Sequence, residues 1–303
     1  MSAPLVSVVI PTYNRRAYIA NTVRSVLNQT FGDFEVLVSD DGSTDGTEDV
    51  MAEITDPRVK YVKRPHAGRP AIVRNHAIRR AQGKYVAFLD SDDLWIPRKL
   101  ELQVEMARRN PDAGIVYALS RNFSVQDWKG ITSPYRFKRA GEVYHYLLFY
   151  NFISIPTVFV PRKVLDDVGL FDEDAKFRAV EDYELWLRIA AKYPVAFHDG
   201  VVAYYRLHSA NISANRIGEF DRLVEVLKKI LALRPVPRWM ERKIFAKIEL
   251  RRYKYWLTQA RDDVSAKRAL ANALALDPLN AVGNVINLMC LAGMKEQVRK
   301  LIR

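Results

Sequence analysis

The sequence predicts an α/β protein whose mixed, mostly parallel sheet is flanked by helices and is followed by an α-helical C-terminal extension. Short apolar, β-branched runs alternate with helix-spaced apolar residues up to about residue 120, and only the helical spacing remains after residue 215. Strands separated by crossover helices favour a parallel sheet that is covered on both faces. We therefore expect two domains, residues 1–214 and residues 215–303.

Each element follows from its apolar pattern. Strands are predicted, in chain order, at Leu5–Ile10, Glu35–Ser39, Val59–Val62, Tyr85–Leu89, Gly114–Ala118, Thr157–Val160 and Val195–Tyr205. Helices are predicted at residues 15–28, Thr47–Ile54, Pro70–Ala81, Leu94–Arg109 and Asp182–Lys192. The C-terminal region shows helical stripes at Phe220–Leu231, Ile244–Trp256 and Val264–Leu276, and a last helix after Pro278. Pro235 and Pro237 separate the first two stripes.

The charge of the chain is unevenly distributed. With 303 residues, 49% of them apolar, the chain can bury a substantial core, which disfavours disorder. The net charge is +12, but residues 215–303 hold 19 Lys and Arg against nine Asp and Glu, while residues 1–214 hold 28 against 26. The surplus belongs to the C-terminal region, and it suggests nucleic acid, an anionic membrane or an acidic substrate without choosing among them.

The single cysteine, Cys290, excludes an internal disulfide and any multi-cysteine metal site. The N-terminus shows no secretory signal, and no apolar run reaches about 18 residues. These observations predict a cytoplasmic protein in a reducing compartment, with peripheral attachment to the inner face of the plasma membrane left open.

Polar clusters follow three of the predicted strands, at Pro11–Arg15, Asp40–Asp45 and Asp90–Asp93. In open α/β sheets, ligands bind beyond the carboxyl ends of the strands, so these clusters are candidates for a binding site. Neither a GxGxxG nor a GxxxxGK[ST] sequence occurs, so neither a dinucleotide fold nor a P-loop is supported.

The cluster Asp90–Asp93 places three carboxylates within four residues. Crowded carboxylates repel one another unless a cation lies between them, and oxygen ligands suit Mg²⁺ or Mn²⁺ bound together with substrate phosphates. We also expect Asp92 or Asp93 to cap the helix that follows. The segment Asp40–Ser43 fits a simple turn equally well, although a carboxylate there can accept a hydrogen bond from a base or ribose.

Three further features carry candidate chemistry. A positive stretch suited to a diphosphate contains Arg64, Arg69, Arg74, Arg79 and Arg80. Asp182 near the start of a predicted helix is either an N-terminal cap or a general base, whose pKa we expect the helix N-terminus to lower. His208 follows a predicted strand and is either a surface histidine or a site residue.

Taken in order, these segments resemble family 2 glycosyltransferases of the GT-A fold over about residues 4–213. The motifs that carry the resemblance are Val6–Arg15, Ser25–Thr30, Val38–Thr47, Arg74-Asn75, Phe88–Asp93, Val168–Glu173 and Glu181–Arg188. His66, Val73 and His76 depart from the family pattern around the Arg-Asn pair. A Q-x-x-R-W motif is absent, which resembles the non-processive members that add one sugar.

The resemblance implies a nucleoside-diphosphate sugar donor (UDP-, dTDP- or GDP-linked) and a glycan or lipid-linked acceptor, as in cell-surface polysaccharide or glycolipid assembly. It implies that the nucleotide contacts come from Pro11, Thr12, Tyr13, Asn14, Asp40, Asp41, Arg74, Asp90 and Ser91. Tyr13 would pack on the base and Asp40 would bond the base or ribose. Asp92 would hold Mn²⁺ or Mg²⁺, Asp90 would bind the ribose or the metal, and His208 would contact the diphosphate or the metal. Asp182 would deprotonate the acceptor hydroxyl in an inverting displacement.

Alternatives stay open at this stage. The high isoelectric point fits a nucleic-acid-binding protein that uses the basic C-terminal helices, although no nucleic-acid partner is expected here. A nucleotidyltransferase and a non-catalytic sugar-nucleotide binder are further alternatives. Basic and aromatic residues in 241–261 predict attraction to an anionic membrane, with a solvated face packed on the catalytic domain as the other interpretation. Residues 120–160 should contain the pocket residues that select sugar and acceptor.

Overall fold

The computed structural model describes residues 3–124, 139–207 and 216–281. Two compact units make up the chain, Met1–Ala214 and Asn215–Arg303. The first contains the sheet and the predicted site, and the second contains the basic helices.

An eight-stranded sheet forms the centre of the described part of the first unit. Its strands are β1 (Val6–Thr12), β2 (Phe34–Asp40), β3 (Val59–Lys63), β4 (Tyr85–Phe88), β5 (Leu94–Trp95), β6 (Ile115–Phe123), β7 (Phe159–Pro161) and β8 (Val195–Arg206). They lie in the order β3-β2-β1-β4-β7-β6-β8-β5. β1 pairs in parallel with β2 and β4, β2 pairs in parallel with β3, and β6 pairs in parallel with β8. β7 pairs antiparallel with β4 and β6, and β5 pairs antiparallel with β8. The predicted fold class is confirmed.

Helices cover this sheet. They are α1 (Ile19–Leu27), α2 (Thr47–Ala52), α3 (Pro70–Ile78), α4 (Lys99–Arg109), α5 (Tyr144–Leu147), α6 (Arg162–Val168) and α7 (Glu181–Ala190). Short 3₁₀ turns occur at Ile155–Thr157 and Ala175–Phe177. The apolar spacing of α1 places Ile19, Val23 and Val26 in the core, where each is fully buried together with β1. The short α5 and α6 were not predicted, because neither is long enough to show a clear helical period.

The predicted helix at Leu94–Arg109 is wrong in its first turn. Leu94 and Trp95 form β5, which pairs antiparallel with Ala203 and Tyr204 of β8, and α4 begins only at Lys99. A tertiary pairing thus overrides the local helical pattern. The expected cap at Asp92 or Asp93 is also wrong, because the residue before α4 is Arg98 and it has no side-chain cap.

The strand order places the candidate site. β1 lies between β2 and β4, with Thr12 beside Asp40 and Val9 beside Phe88, so the carboxyl ends of all three strands reach one edge. The chain adds β2 and β3 on one side of β1 and β4 on the other. A crevice opens where the order reverses, and the loops after these strands surround it.

The second unit is helical throughout its described part. It contains α8 (Arg216–Leu233), α9 (Arg238–Tyr255), a π-helical turn (Trp256–Ala260) and α10 (Asp263–Leu276). Asp262 caps α10 by accepting from the amides of Val264 and Ser265 at 3.1 Å. The predicted last helix extends past residue 281, outside the described residues. Among the described residues, no helix is long and apolar enough to cross a membrane.

Candidate active site

A cavity of about 670 Å³ opens at the carboxyl edge of the sheet. Most of the predicted site residues line it, namely Pro11, Thr12, Tyr13, Asp41, Arg74, Asp90, Ser91, Asp92 and Asp182. They come from the end of β1, from the loops after β1, β2 and β4, from α3 and from the start of α7. The fold therefore gathers side chains that are up to about 170 positions apart in the sequence into one chamber.

An aromatic pair stands in the cavity lining. The ring of Tyr13 stacks on the imidazole of His66, with 4.2 Å between centroids and 26° between planes. Tyr13 nevertheless stays 41% exposed. A flat, exposed aromatic face suits a planar base.

Asn14 and Asp40 are not among the residues that line this cavity. Asn14 adopts a positive φ of 50°, and its Oδ1 accepts from the amide of Thr44 at 2.9 Å. Asp40 is fully buried, and its Oδ1 accepts from the amide of Ser43 at 2.8 Å while Oδ2 accepts from the Tyr61 hydroxyl. Both side chains brace the loop after β2. Both carboxylate oxygens of Asp40 are thus engaged by the protein itself, and the expected contact between Asp40 and a base or ribose stays a prediction.

Asp41, the next residue, faces the cavity and organises its rim. Its carboxylate accepts from the amides of Ala67 at 2.9 Å and Gly68 at 2.8 Å, and it pairs with Arg64 at 2.5 Å. Gly42 has a φ of 81°, and a Cβ there would lie 3.1 Å from the carbonyl oxygen of Arg64. The glycine thus lets the two loops approach closely.

The acidic loop after β4 is held from two sides. Oδ2 of Asp92 pairs with Nε of Arg15 at 3.2 Å. Asp93 is fully buried and accepts from the amide of Arg206 at 2.8 Å, while Nε of Arg206 donates to the carbonyl of Asp92 at 2.8 Å. Burial, with the charges of Asp92 and Asp90, raises the pKa of Asp93 well above its usual range. Asp93 therefore braces the loop rather than capping a helix.

The residues present fit a divalent cation that is shared with a substrate. Among the described residues, no three His, Cys, Asp or Glu side chains are grouped as metal ligands. Asp90 and Asp92 line the cavity with side chains that are 28% and 17% exposed. Mg²⁺ commonly uses one or two carboxylates and completes its shell with phosphate oxygens and water, so this pair is a suitable donor set. His208, the third predicted ligand, lies outside the described residues.

Arg74 connects the acidic loop to α7. Its guanidinium donates to Oδ1 of Asp90 at 2.7 Å and to Oε1 of Glu181 at 2.6 Å. The charges of these two carboxylates outweigh burial and raise the pKa of Arg74. The other arginines of the positive stretch have their own partners. Arg64 pairs with Asp41 and Arg79 pairs with Glu173, while Arg69 and Arg80 donate to backbone carbonyls. Of the expected positive stretch, only Arg69 and Arg74 line the cavity.

Asp182 lies beside this buried ion pair. Burial, reinforced by the negative charge of Glu181 and opposed by Arg74, raises the pKa of Asp182 to about 7. The expectation that the helix N-terminus would lower this pKa is wrong, because desolvation and a like charge outweigh the helix dipole. A carboxylate that titrates near neutral pH can take up a proton during a reaction and release it afterwards.

The sequence and the fold both match known proteins. The family model "Glycosyl transferase family 2" matches residues 7–168, more than half of the chain. The chain belongs to glycosyl transferase family 2. It is therefore a nucleotide-sugar glycosyltransferase with a GT-A-like fold.

One curated relative and two solved structures show what this family 2 glycosyltransferase is similar to. The chain is 35% identical over 228 residues to UDP-Glc:alpha-D-GlcNAc-diphosphoundecaprenol beta-1,3-glucosyltransferase WfaP of Escherichia coli, covering 75% of this chain and 86% of WfaP. Two solved structures share the fold. TarS 1–349 of S. aureus in complex with UDP-GlcNAc has a TM-score of 0.66 at 19% identity, over 97% of this chain and 89% of that one. PcManGT, a mannosyltransferase from Pyrobaculum calidifontis in complex with GDP-Man and Mn²⁺, has a TM-score of 0.65 at 24% identity, over 99% and 84%.

Several residues of the glycosyltransferase cavity were not singled out from the sequence as site residues. Arg15, Glu181 and Arg178 line it, and Ala179 does so with a φ of 69°. Ser120 and residues 151–155 lie within the stretch expected to hold selectivity residues. Glu181 has a signal in the sequence, because it adjoins Asp182 and can pair with a buried arginine. Arg15 belongs to the predicted polar cluster after β1, whereas Arg178 and Ala179 carry no local pattern, since tertiary contacts alone bring them to the cavity.

Proposed function

We propose that this enzyme transfers one sugar from a UDP-linked donor to a hydroxyl of a lipid-linked glycan, with inversion at the anomeric carbon. The observation that carries the proposal is that one cavity holds the Tyr13–His66 stack, the acidic pair Asp90 and Asp92, and Asp182. A UDP-linked donor is supported by the name of WfaP and by the nucleotide sugar bound to TarS. A lipid-linked acceptor is supported by the diphosphoundecaprenol in the name of WfaP.

Each end of the donor meets a different part of the proposed site. The stacked ring of Tyr13 contacts the base, and Asp41 and Arg74 line the nucleotide pocket. Asp90 and Asp92 would hold Mn²⁺ or Mg²⁺, which when bound neutralises charge on the diphosphate. Arg74 fixes the orientation of Asp90 through its 2.7 Å contact, so the carboxylate is positioned before the donor arrives.

Asp182 performs the proton transfer. It takes the proton of the acceptor hydroxyl as that oxygen forms a bond to the anomeric carbon. The bond from the anomeric carbon to the diphosphate oxygen breaks with its electron pair, and the nucleoside diphosphate departs. One displacement from the opposite side inverts the anomeric configuration. The raised pKa of Asp182 makes it a stronger base than an exposed carboxylate at neutral pH.

Donor identity and stereochemistry can be tested directly. Thermal-shift titration with UDP, dTDP and GDP in the presence of Mn²⁺ should show the largest stabilisation with UDP. Transfer from UDP-α-sugars to a short-chain polyprenyl-diphosphate glycan should give a β-linked product with one added sugar, read by anomeric proton coupling in NMR and by mass spectrometry. An α-linked product or a polymer would contradict the proposal.

A further inference from the structure

Two helices of the second unit, α8 and α9, form an antiparallel pair. Nη2 of Arg252, near the end of α9, pairs with Asp221 of α8 at 2.6 Å. The rings of Phe220 and Tyr255 lie 6.1 Å apart. The start of α8 thus lies beside the end of α9, so the end of α8 and the start of α9 share the opposite end of the pair.

The third helix brings its own end to the same place. Arg242, in the first turns of α9, donates from Nε to the carbonyl of Leu276 at 2.9 Å and from Nη2 to that of Ala275 at 3.1 Å. The end of α10 therefore lies against the start of α9. Leu279, which follows α10 by three residues, belongs to this end of the unit.

Large apolar side chains are exposed at this end. Leu233 is 66% exposed, Trp239 58% and Leu279 89%. Among the described residues of the second unit, the one other large apolar side chain as exposed is Val264, at the start of α10 and thus at the far end. Single exposed apolar residues are ordinary, but three at one end of a small helical unit mark a contact surface.

Positive charge surrounds these apolar side chains. Residues 233–243 hold four basic residues against one acidic residue, Glu241. The ammonium of Lys243 lies 5.3 Å from the centre of the Trp239 ring. We call this surface the basic–apolar end and define it by Leu233, Arg234, Arg238, Trp239, Lys243 and Leu279.

The broader face of α9 is a poorer candidate for the same role. In the stretch 241–261, Arg251 and Arg252 pair with acidic side chains of α8 and α9, and Tyr253 is buried against α10. Two arginines of this stretch are thus paired with carboxylates, and the ring of Tyr253 is used inside the unit. The basic–apolar end is therefore the better candidate for a membrane-binding surface than the length of α9, and the attraction expected of residues 241–261 stays a prediction.

We propose that the basic–apolar end docks on an anionic lipid bilayer, and this rests on the proposed use of a lipid-linked acceptor. Tryptophan favours the headgroup region, leucine enters the acyl boundary, and arginine and lysine attract anionic headgroups. Nucleic acid is a weaker fit for this surface, because two of its three exposed apolar side chains are leucines, which offer no ring on which bases can stack, and only Trp239 offers one. Docking at this end brings the enzyme to the surface where a polyprenyl-diphosphate acceptor is embedded.

Vesicle flotation of the full chain tests the proposal. The wild-type protein should float with vesicles that contain phosphatidylglycerol and remain at the bottom with pure phosphatidylcholine, and binding should weaken as salt rises. Leu233→Ser with Trp239→Ser, and separately Arg238→Glu with Lys243→Glu, should each lower the partition coefficient by about tenfold or more. Circular dichroism should show that both double variants remain folded.

Matched variants at the far end provide the controls. Val264→Ser removes a side chain that is 70% exposed, and Lys267→Glu with Arg268→Glu reverses two exposed charges on α10. These variants should float like the wild-type protein. Equal flotation of the Trp239 variant and the Val264 variant would overturn the proposal, as would wild-type binding to a duplex oligonucleotide but not to anionic vesicles.

A transfer assay with a water-soluble glycan acceptor separates this proposal from the proposed function. Every variant of the second unit should retain wild-type transfer to that acceptor. Variants at the basic–apolar end should do so although they float poorly, and variants at the far end should also float like the wild-type protein. Absence of transfer both to that acceptor and to a short-chain polyprenyl-diphosphate glycan by a wild-type protein that floats would refute the proposed function alone. Transfer without flotation would refute the docking surface alone.

Discussion

The guanidinium of Arg74 donates through Nη1 to Oε1 of Glu181 at 2.6 Å, and neither side chain is more than 7% exposed. This contact joins α3 to the first residue of α7, immediately before Asp182. The second hydrogen bond of Arg74 reaches Asp90, so one buried guanidinium links the acidic loop to the segment that carries the proposed base. The charge state of Asp182 therefore depends on the balance between Glu181 and Arg74.

Glu181→Gln should shift the pH dependence of transfer to lower pH. Asp182 acts as a base when deprotonated, so the rate of the wild-type enzyme should fall as pH drops through about 7. Removing the charge of Glu181 removes one cause of the raised pKa and leaves Arg74, which lowers it. The profile of kcat/KM against pH measures this fall in rate, which forms the acidic limb of the profile. Glu53→Gln, an exposed change of the same charge, should leave it in place, and an unmoved limb in Glu181→Gln would contradict this account.

Asp182→Asn should abolish transfer and preserve donor binding. The amide keeps the size of the side chain but cannot accept the proton, which typically costs about 10² to 10⁴ in rate. Transfer rates and calorimetric titration of UDP, measured on the same preparation, separate the two effects. Asp112→Asn, an exposed substitution of the same kind, should behave as wild type. Transfer by Asp182→Asn at a near wild-type rate would assign the base to another residue.

Asp92→Ala should remove the effect of Mn²⁺ on nucleotide affinity. If Asp92 shares a cation with the diphosphate, Mn²⁺ should tighten UDP binding to the wild-type enzyme by about tenfold or more, and chelation with EDTA should reverse it. The variant should bind UDP equally with and without Mn²⁺. Calorimetry in both conditions provides the measurement. An unchanged response to Mn²⁺ in the variant would show that Asp92 does not hold the cation.

Tyr13→Ala should weaken UDP binding, while Tyr13→Phe should keep most of it. The stacked face is lost in the first variant and retained in the second, and stacking of a base on an aromatic ring contributes about 1–3 kcal/mol. The expected loss for alanine is thus about fivefold to 150-fold in Kd. A loss of equal size in the phenylalanine variant would point to the hydroxyl rather than to the stack.

Much of the sheet could be predicted from local patterns. β1 and β2 are rich in apolar, β-branched residues and are almost entirely buried, so their sequences alone identify them. The prolines at 235 and 237 mark the break between α8 and α9 for a comparable reason, since proline cannot continue a helix. β5 could not be predicted in this way, because two residues form a strand only when β8 lies alongside.

The sequence by itself determined the α/β class, the order of the polar loops and the presence of carboxylates where a metal and a base would act. These properties are local, because they depend on apolar period and on residue type along the chain. Only the tertiary structure decided that Asp41 and not Asp40 faces the cavity, and that Asp182 has a pKa of about 7. Likewise, only the tertiary structure showed which end of the second unit combines basic residues with exposed apolar side chains. Burial and the identity of charged neighbours depend on contacts between residues distant in sequence, and those contacts exist only in the folded chain.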